Sequence, residues 1–152
     1  MIQRIQSVYL FLAGIIPAIT FFAPVARLQA GDGLLSMSSL GYEAANFPVD
    51  EGVMPWGMTV TALLLVAINL WAIFCYRNRK KQVTLTNWAV AITLLFYIAA
   101  VVHIVMIAND ASVSVSPAPM LFAPLAALCF TMLARRAIKR DEALVRAADR
   151  IR

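Results

Sequence analysis

Carboxylates are missing from every long apolar run of this chain, and charged residues make up only 14% of it. A membrane-embedded acid is a common coupling group for cation transport, so its absence weakens that reading. Histidine occurs once, as His103. One imidazole cannot supply both axial ligands of a membrane haem, and no carboxylate stands beside it at metal-ligand spacing. Cysteine occurs twice, as Cys75 and Cys129, far apart and without CxxC spacing. That argues against a thiol–disulfide relay and leaves two small apolar packing residues. No Ser/His/Asp set, phosphate loop or zinc motif is present. No catalytic residue, cofactor or metal is expected, and the chain reads as non-enzymatic.

What is abundant is apolar sequence. Hydrophobic residues make up 62% of the 152 positions, against about 45–50% in soluble domains, and the mean hydropathy is +0.79. Four segments approach or exceed the length needed to cross a bilayer: residues 5–26, 54–76, 87–108 and 118–134. The first is too long for the apolar core of a signal peptide, and Leu28 before Ala30 makes a poor small-residue cleavage site. It is expected to be retained. The fold class is therefore an all-α membrane protein, a single up-down domain of four transmembrane helices.

Charge sets the expected orientation. The external loop, residues 27–53, has one arginine against four acids. The connection "RNRKKQVTLT" carries Arg77, Arg79, Lys80 and Lys81, and the tail, residues 135–152, has seven Lys/Arg and three Asp/Glu. With Arg4, 12 of the 13 basic residues fall on one side. Short basic segments stay cytoplasmic, so both termini and the basic connection should lie inside a bacterial inner membrane. Clustering beside span ends fits topology and anionic headgroups; it gives no reason to expect a nucleic-acid partner.

Within the external loop, Gly31-Asp32-Gly33 is a turn signal. The flanking residues fit a short β-hairpin or an ordered loop without strands. Pro17 and Pro124 lie inside spans and favour kinks. Trp56 marks an outer helix end; Trp71, Tyr76 and Trp88 mark inner ends, as interfacial aromatics do. Gln3, Ser7, Gly14 and Ala18 form one stripe of the first span, a seam for close helix approach.

The fourth helix should continue into the tail. "ARRAIKRDEALVRAADRIR" lacks Gly and Pro and is rich in helix formers. Ile138, Leu144, Val145, Ala148 and Ile151 fall on one arc, opposite Lys139, Glu142, Arg146, Asp149 and Arg150. Glu142 and Arg146 stand at i, i+4. An amphipathic extension of roughly 16 residues, about 24 Å, follows. It either protrudes or lies on the inner leaflet.

Asn69 and His103 are the candidate intramembrane polar residues, with Thr59 and Thr61 nearer an outer end. They serve as interhelical glue or, alternatively, line a small transporter or channel. His103 and Asp110 are spaced for a proton relay two helical turns long.

The segments "MIQRIQSVYLFLA" and "ARRAIKRDEALVRAADRIR", with the connection "NRKKQ", resemble the Bacteroidetes membrane proteins grouped as domain of unknown function 4293. The resemblance implies a four-span inner-membrane protein from that phylum and carries no established activity.

The expected working face is therefore cytoplasmic. It comprises Gln3, Arg4 and Gln6, the basic residues Arg77, Arg79, Lys80 and Lys81, and the tail residues Asp141, Glu142, Arg146, Asp149 and Arg150. Arg4 is expected to face Asp141 or Glu142. The face would contact a partner protein or anionic lipid headgroups, which makes the chain an accessory or scaffold protein. In the simpler alternative, the charges only fix topology and solvate a helix.

Overall fold

A computed structural model describes residues 3–47, 54–76, 78–108 and 113–149. The element order is α1 (Gln3–Ala18), a 3-10 turn (Ile19–Phe21), β1 (Ala26–Ala30), β2 (Gly33–Met37), β3 (Tyr42–Ala45), α2 (Trp56–Phe74), α3 (Arg79–Ile107), β4 (Ser114–Pro117), a second 3-10 turn (Pro119–Phe122) and α4 (Ala123–Asp149). Trp56–Phe74, Arg79–Ile107 and Pro119–Val145 are each long and apolar enough to cross a membrane. Together they suggest a membrane protein. Ile5–Phe21 is a shorter apolar helix.

Several helix bounds differ from expectation for local reasons. α1 stops at Ala18 and tightens into a 3-10 turn immediately after Pro17. Proline has no N–H to continue the ladder, and the Pro17 carbonyl instead accepts the Thr20 hydroxyl at 2.7 Å. Pro124 is the second residue of α4, where a missing N–H costs no helical bond; it is not an interior kink. α3 begins at Arg79, eight residues before the expected span. Most of the basic connection is thus helix, started by Asn78, whose side chain accepts the Lys81 N–H at 3.1 Å. No acid stands in that first turn, and the three cations there oppose the helix dipole, which hides the start from pattern reading. α4 runs unbroken to Asp149.

The four helices pack side by side. Near one end Leu10, Ala72 and Ala134 join α1, α2 and α4 in a small buried cluster. The larger cluster holds Met58, Ala62 and Leu65 of α2 and Ala89, Phe96 and Ala100 of α3. Val25, Ala26, Leu28, Leu35 and Met37 belong to it as well. A sheet therefore caps one end of the helices and shares their core.

That sheet is antiparallel, with strand order β3-β2-β1-β4. β1 and β2 form the anticipated hairpin, pairing Ala26 with Met37 and Ala30 with Gly33. The two-residue turn uses Gly31 at φ +55, which glycine adopts without a Cβ penalty. Period-two alternation buries Ala26, Leu28, Leu35 and Met37 and exposes Arg27, Gln29 and Leu34. Gly33 is required by proximity, because a Cβ there would stand 2.5 Å from the Asn46 carbonyl oxygen. β3 and β4 were not anticipated. β4 is exposed throughout and includes Pro117, so it shows no alternation and reads as a loop.

Candidate functional site

The end of the bundle opposite the sheet carries most of the described charged side chains. α1 starts there, α2 ends there, α3 begins with its cations, and α4 passes through with Arg135, Arg136, Lys139, Arg140, Asp141 and Glu142. This is the polar end.

Its central feature is a contact between the two halves of the expected face. The Gln6 amide donates to an Asp141 carboxylate oxygen at 2.6 Å. Both residues are only 7% exposed, so the bond links α1 to α4 across 135 positions of sequence. Ile138, one turn before Asp141, is fully buried. The first two turns of the expected tail are thus part of the packed bundle, and the freely exposed segment starts with Ala143, Leu144 and Val145.

The remaining face residues fall as follows. Lys80 and Lys81 are exposed on the first turn of α3 and Arg79 is half-buried there. Glu142 is half-buried and engaged with other groups. Gln3 and Arg4 open α1, and Arg146 and Asp149 lie on α4, but the side chains of these four are outside the described set. The expected pairing of Arg4 with an acid therefore lies outside the described residues, as do Arg77, Arg150 and Asp110.

Two further features of this end escaped sequence reasoning. Gln82, 3% exposed, donates its amide to the Ala72 carbonyl at 3.0 Å. It satisfies one of the carbonyls left open at the end of α2. A single glutamine in a basic run gives no sign of that role. Beside it lies a groove of about 380 Å³ between α2 and α3, lined by Trp71, Cys75, Lys80, Lys81, Thr84, Leu85 and Trp88. The Trp/Trp/Lys/Lys composition was visible in sequence; its convergence depended on α3 starting early.

The intramembrane candidates stand apart. Asn69 is 2% exposed, donates to the Leu65 carbonyl at 2.8 Å and accepts from the Thr131 hydroxyl at 3.2 Å. Thr131 also reaches the Ala127 carbonyl at 2.9 Å, and its single proton is shared between the two acceptors. Gly14 lies close by: a Cβ there would sit 3.6 Å from the Asn69 Cβ. This is a seam of α1, α2 and α4. His103 is half-buried near the sheet end, its Nδ1 2.8 Å from the Ala99 carbonyl oxygen. A Cβ on Gly57 would lie 3.4 Å from its Cε1. Asn69 and Gly57 are separated by twelve residues of α2, about 18 Å along the axis, so Asn69 and His103 do not form one site.

The sheet end has its own polar chain. Ser39 donates to the Thr20 hydroxyl at 3.0 Å, and Thr59 donates to the Ser39 carbonyl. A second cavity, about 350 Å³, opens beside Phe21, Phe22, Ser36 and Tyr42. The Tyr42 hydroxyl is buried without a hydrogen-bond partner among the described residues, and burial pushes its pKa up.

The family model described as Domain of unknown function (DUF4293) matches residues 2–151. The chain belongs to this family. The match therefore covers the sheet as well as both terminal helices, and the family carries no assigned activity. No curated protein matches the chain.

Proposed function

We propose that this DUF4293 protein is a non-enzymatic accessory or scaffold protein of a bacterial inner membrane. Its four helices each cross the bilayer, with both termini and the polar end in the cytoplasm and the sheet outside. The polar end is the working face. Its exposed tail, from Ala143 onward, docks a partner protein, and its basic first turn of α3 faces anionic lipid.

The observation that supports this reading is the Gln6–Asp141 bond. It fixes the start of the chain and the tail helix into one unit at the end where most of the described cations gather. A tail that served only to solvate a helix would have no need of a buried carboxylate, whose desolvation is costly. The charge asymmetry supports the orientation by the positive-inside rule.

The test is a truncation after Glu142. Cutting after Ala134 would also remove Ile138 and Asp141 from the packed bundle, so loss of a partner would be ambiguous. With Glu142 retained, the expected result is normal membrane insertion and loss of a co-purifying protein in mild detergent. Unchanged complexes would contradict the partner-docking role.

A further inference from the structure

The groove between α2 and α3 has a polarity gradient along the bundle axis. On α3, Lys81, Leu85 and Trp88 recur at spacings of four and three, so they share a face. Lys81 and Trp88 are about 10 Å apart along the helix. On α2 and its C-cap, Trp71 and Cys75 stand at i, i+4 and line the other side of the cavity. Cations are thus at the end of the groove nearest the helix termini, and aromatic and apolar groups lie deeper. Among the described residues, no acidic side chain lines it.

Both indole rings are largely open, Trp71 at 64% and Trp88 at 61% exposure. Neither ring is spent on the protein core. Indoles favour the headgroup level of a bilayer, and lysines just beyond that level attract anionic lipid. The cavity, about 380 Å³, is within the range of small-ligand sites.

We propose that this groove holds one anionic phospholipid, its phosphate against Lys80 and Lys81 and the upper part of an acyl chain between Trp71 and Trp88. Charge complementarity selects this occupant: a zwitterionic lipid gains less from two lysines that no described acid opposes in the groove, and a soluble anion leaves the indole faces uncovered. The proposal rests on the membrane reading above and goes beyond it, because it makes lipid contact selective and local rather than a general property of a basic surface.

The experiment uses the full chain carrying Trp56→Phe, so that fluorescence reports Trp71 and Trp88 alone. It is reconstituted in vesicles of four parts phosphatidylcholine to one part phosphatidylglycerol. Bromine is carried on the phosphatidylglycerol chains in one preparation and on an equal share of phosphatidylcholine in the other. Quenching by the brominated anionic lipid should exceed quenching by the brominated zwitterionic lipid by at least about twofold. Lys80→Gln/Lys81→Gln, both exposed and outside the core, should bring the ratio to about one, with the thermal transition unchanged. A ratio near one in the unsubstituted groove overturns the proposal. So does a high ratio that survives the lysine substitutions, which would place selectivity elsewhere. Absence of quenching by either brominated lipid would instead overturn the membrane reading itself, so the two failures are distinct.

Discussion

The two ends of this bundle terminate their helices by different chemistry. At the sheet end, the chain leaves α1 through a 3-10 turn and enters strands, so main-chain groups pair with other main-chain groups. Val25 N–H donates to the Met37 carbonyl at 2.7 Å and Ala118 N–H to the Val25 carbonyl at 3.0 Å. At the polar end, described helices stop or continue without a sheet, and side chains complete the bonding: Asn78 caps α3, Gln82 caps α2 and Gln6 meets Asp141. One end is closed mainly by the backbone, with short hydroxyls at Thr20, Ser39 and Thr59 assisting, and the other by a few amide and carboxylate side chains. Backbone closure depends on geometry and tolerates sequence change except where space is short. Side-chain closure depends on particular residues, and it leaves surface on which cations and indoles can serve a ligand.

Substitutions separate the two modes. The largest effect is expected from Gly33→Val at the sheet end. Even the first side-chain carbon meets the Asn46 carbonyl at 2.5 Å, so the β2–β3 pairing must yield. A loss of about 2–3 kcal/mol is expected, read by thermal unfolding in detergent. Next is Asp141→Ala at the polar end, which strands the buried Gln6 amide at a cost of about 1–3 kcal/mol. A double-mutant cycle with Gln6→Ala should return a clear coupling energy; simple additivity would remove the latch. Thr131→Val and Asn69→Leu probe the middle, where both ends meet the same seam. Each should cost about 0.6–1.7 kcal/mol, with the double variant less than additive.

The smallest effect is expected at Tyr42. Its hydroxyl is buried without a partner among the described residues, so Tyr42→Phe should leave stability within about 0.5 kcal/mol at neutral pH. Burial raises the folded pKa of this phenol. Its contribution is therefore fully present below the unfolded value of about 10 and lost as pH rises through the folded value. The phenylalanine variant should lose less stability than the parent in alkaline buffer, as a pH series of unfolding curves would reveal.

The contrast also explains which parts were legible in the sequence. The hairpin was one of two readings of the external loop, because Gly31-Asp32-Gly33 is a turn signal that the flanking residues could close with or without strands; β1 and β2 decide for the hairpin. β4 was not legible, since Ser114–Pro117 is exposed throughout and pairs with a strand at least 85 positions away. The apolar cores of α2, α3 and α4 were plain from composition, whereas the start of α3 was hidden by cations where acids are the usual helix-start signal. At the polar end, the meeting of the chain's start with its tail was legible as complementary polarity. Among the described side chains Gln6 meets Asp141, a match that the rotation of α1 against α4 decides. Gln82 and the tryptophan–lysine groove depend on helix register across α2 and α3, which no local pattern encodes.

The account rests on these two ends facing opposite sides of one membrane. Its most direct test places a single cysteine at Glu43→Cys on the exposed strand β3 or at Lys139→Cys on the exposed face of α4. Both are made in a Cys75→Ser/Cys129→Ser background and labelled with a membrane-impermeant maleimide in intact spheroplasts. Glu43→Cys should label before lysis and Lys139→Cys only after it. Labelling of Lys139→Cys in intact spheroplasts, alone or together with Glu43→Cys, would contradict the account.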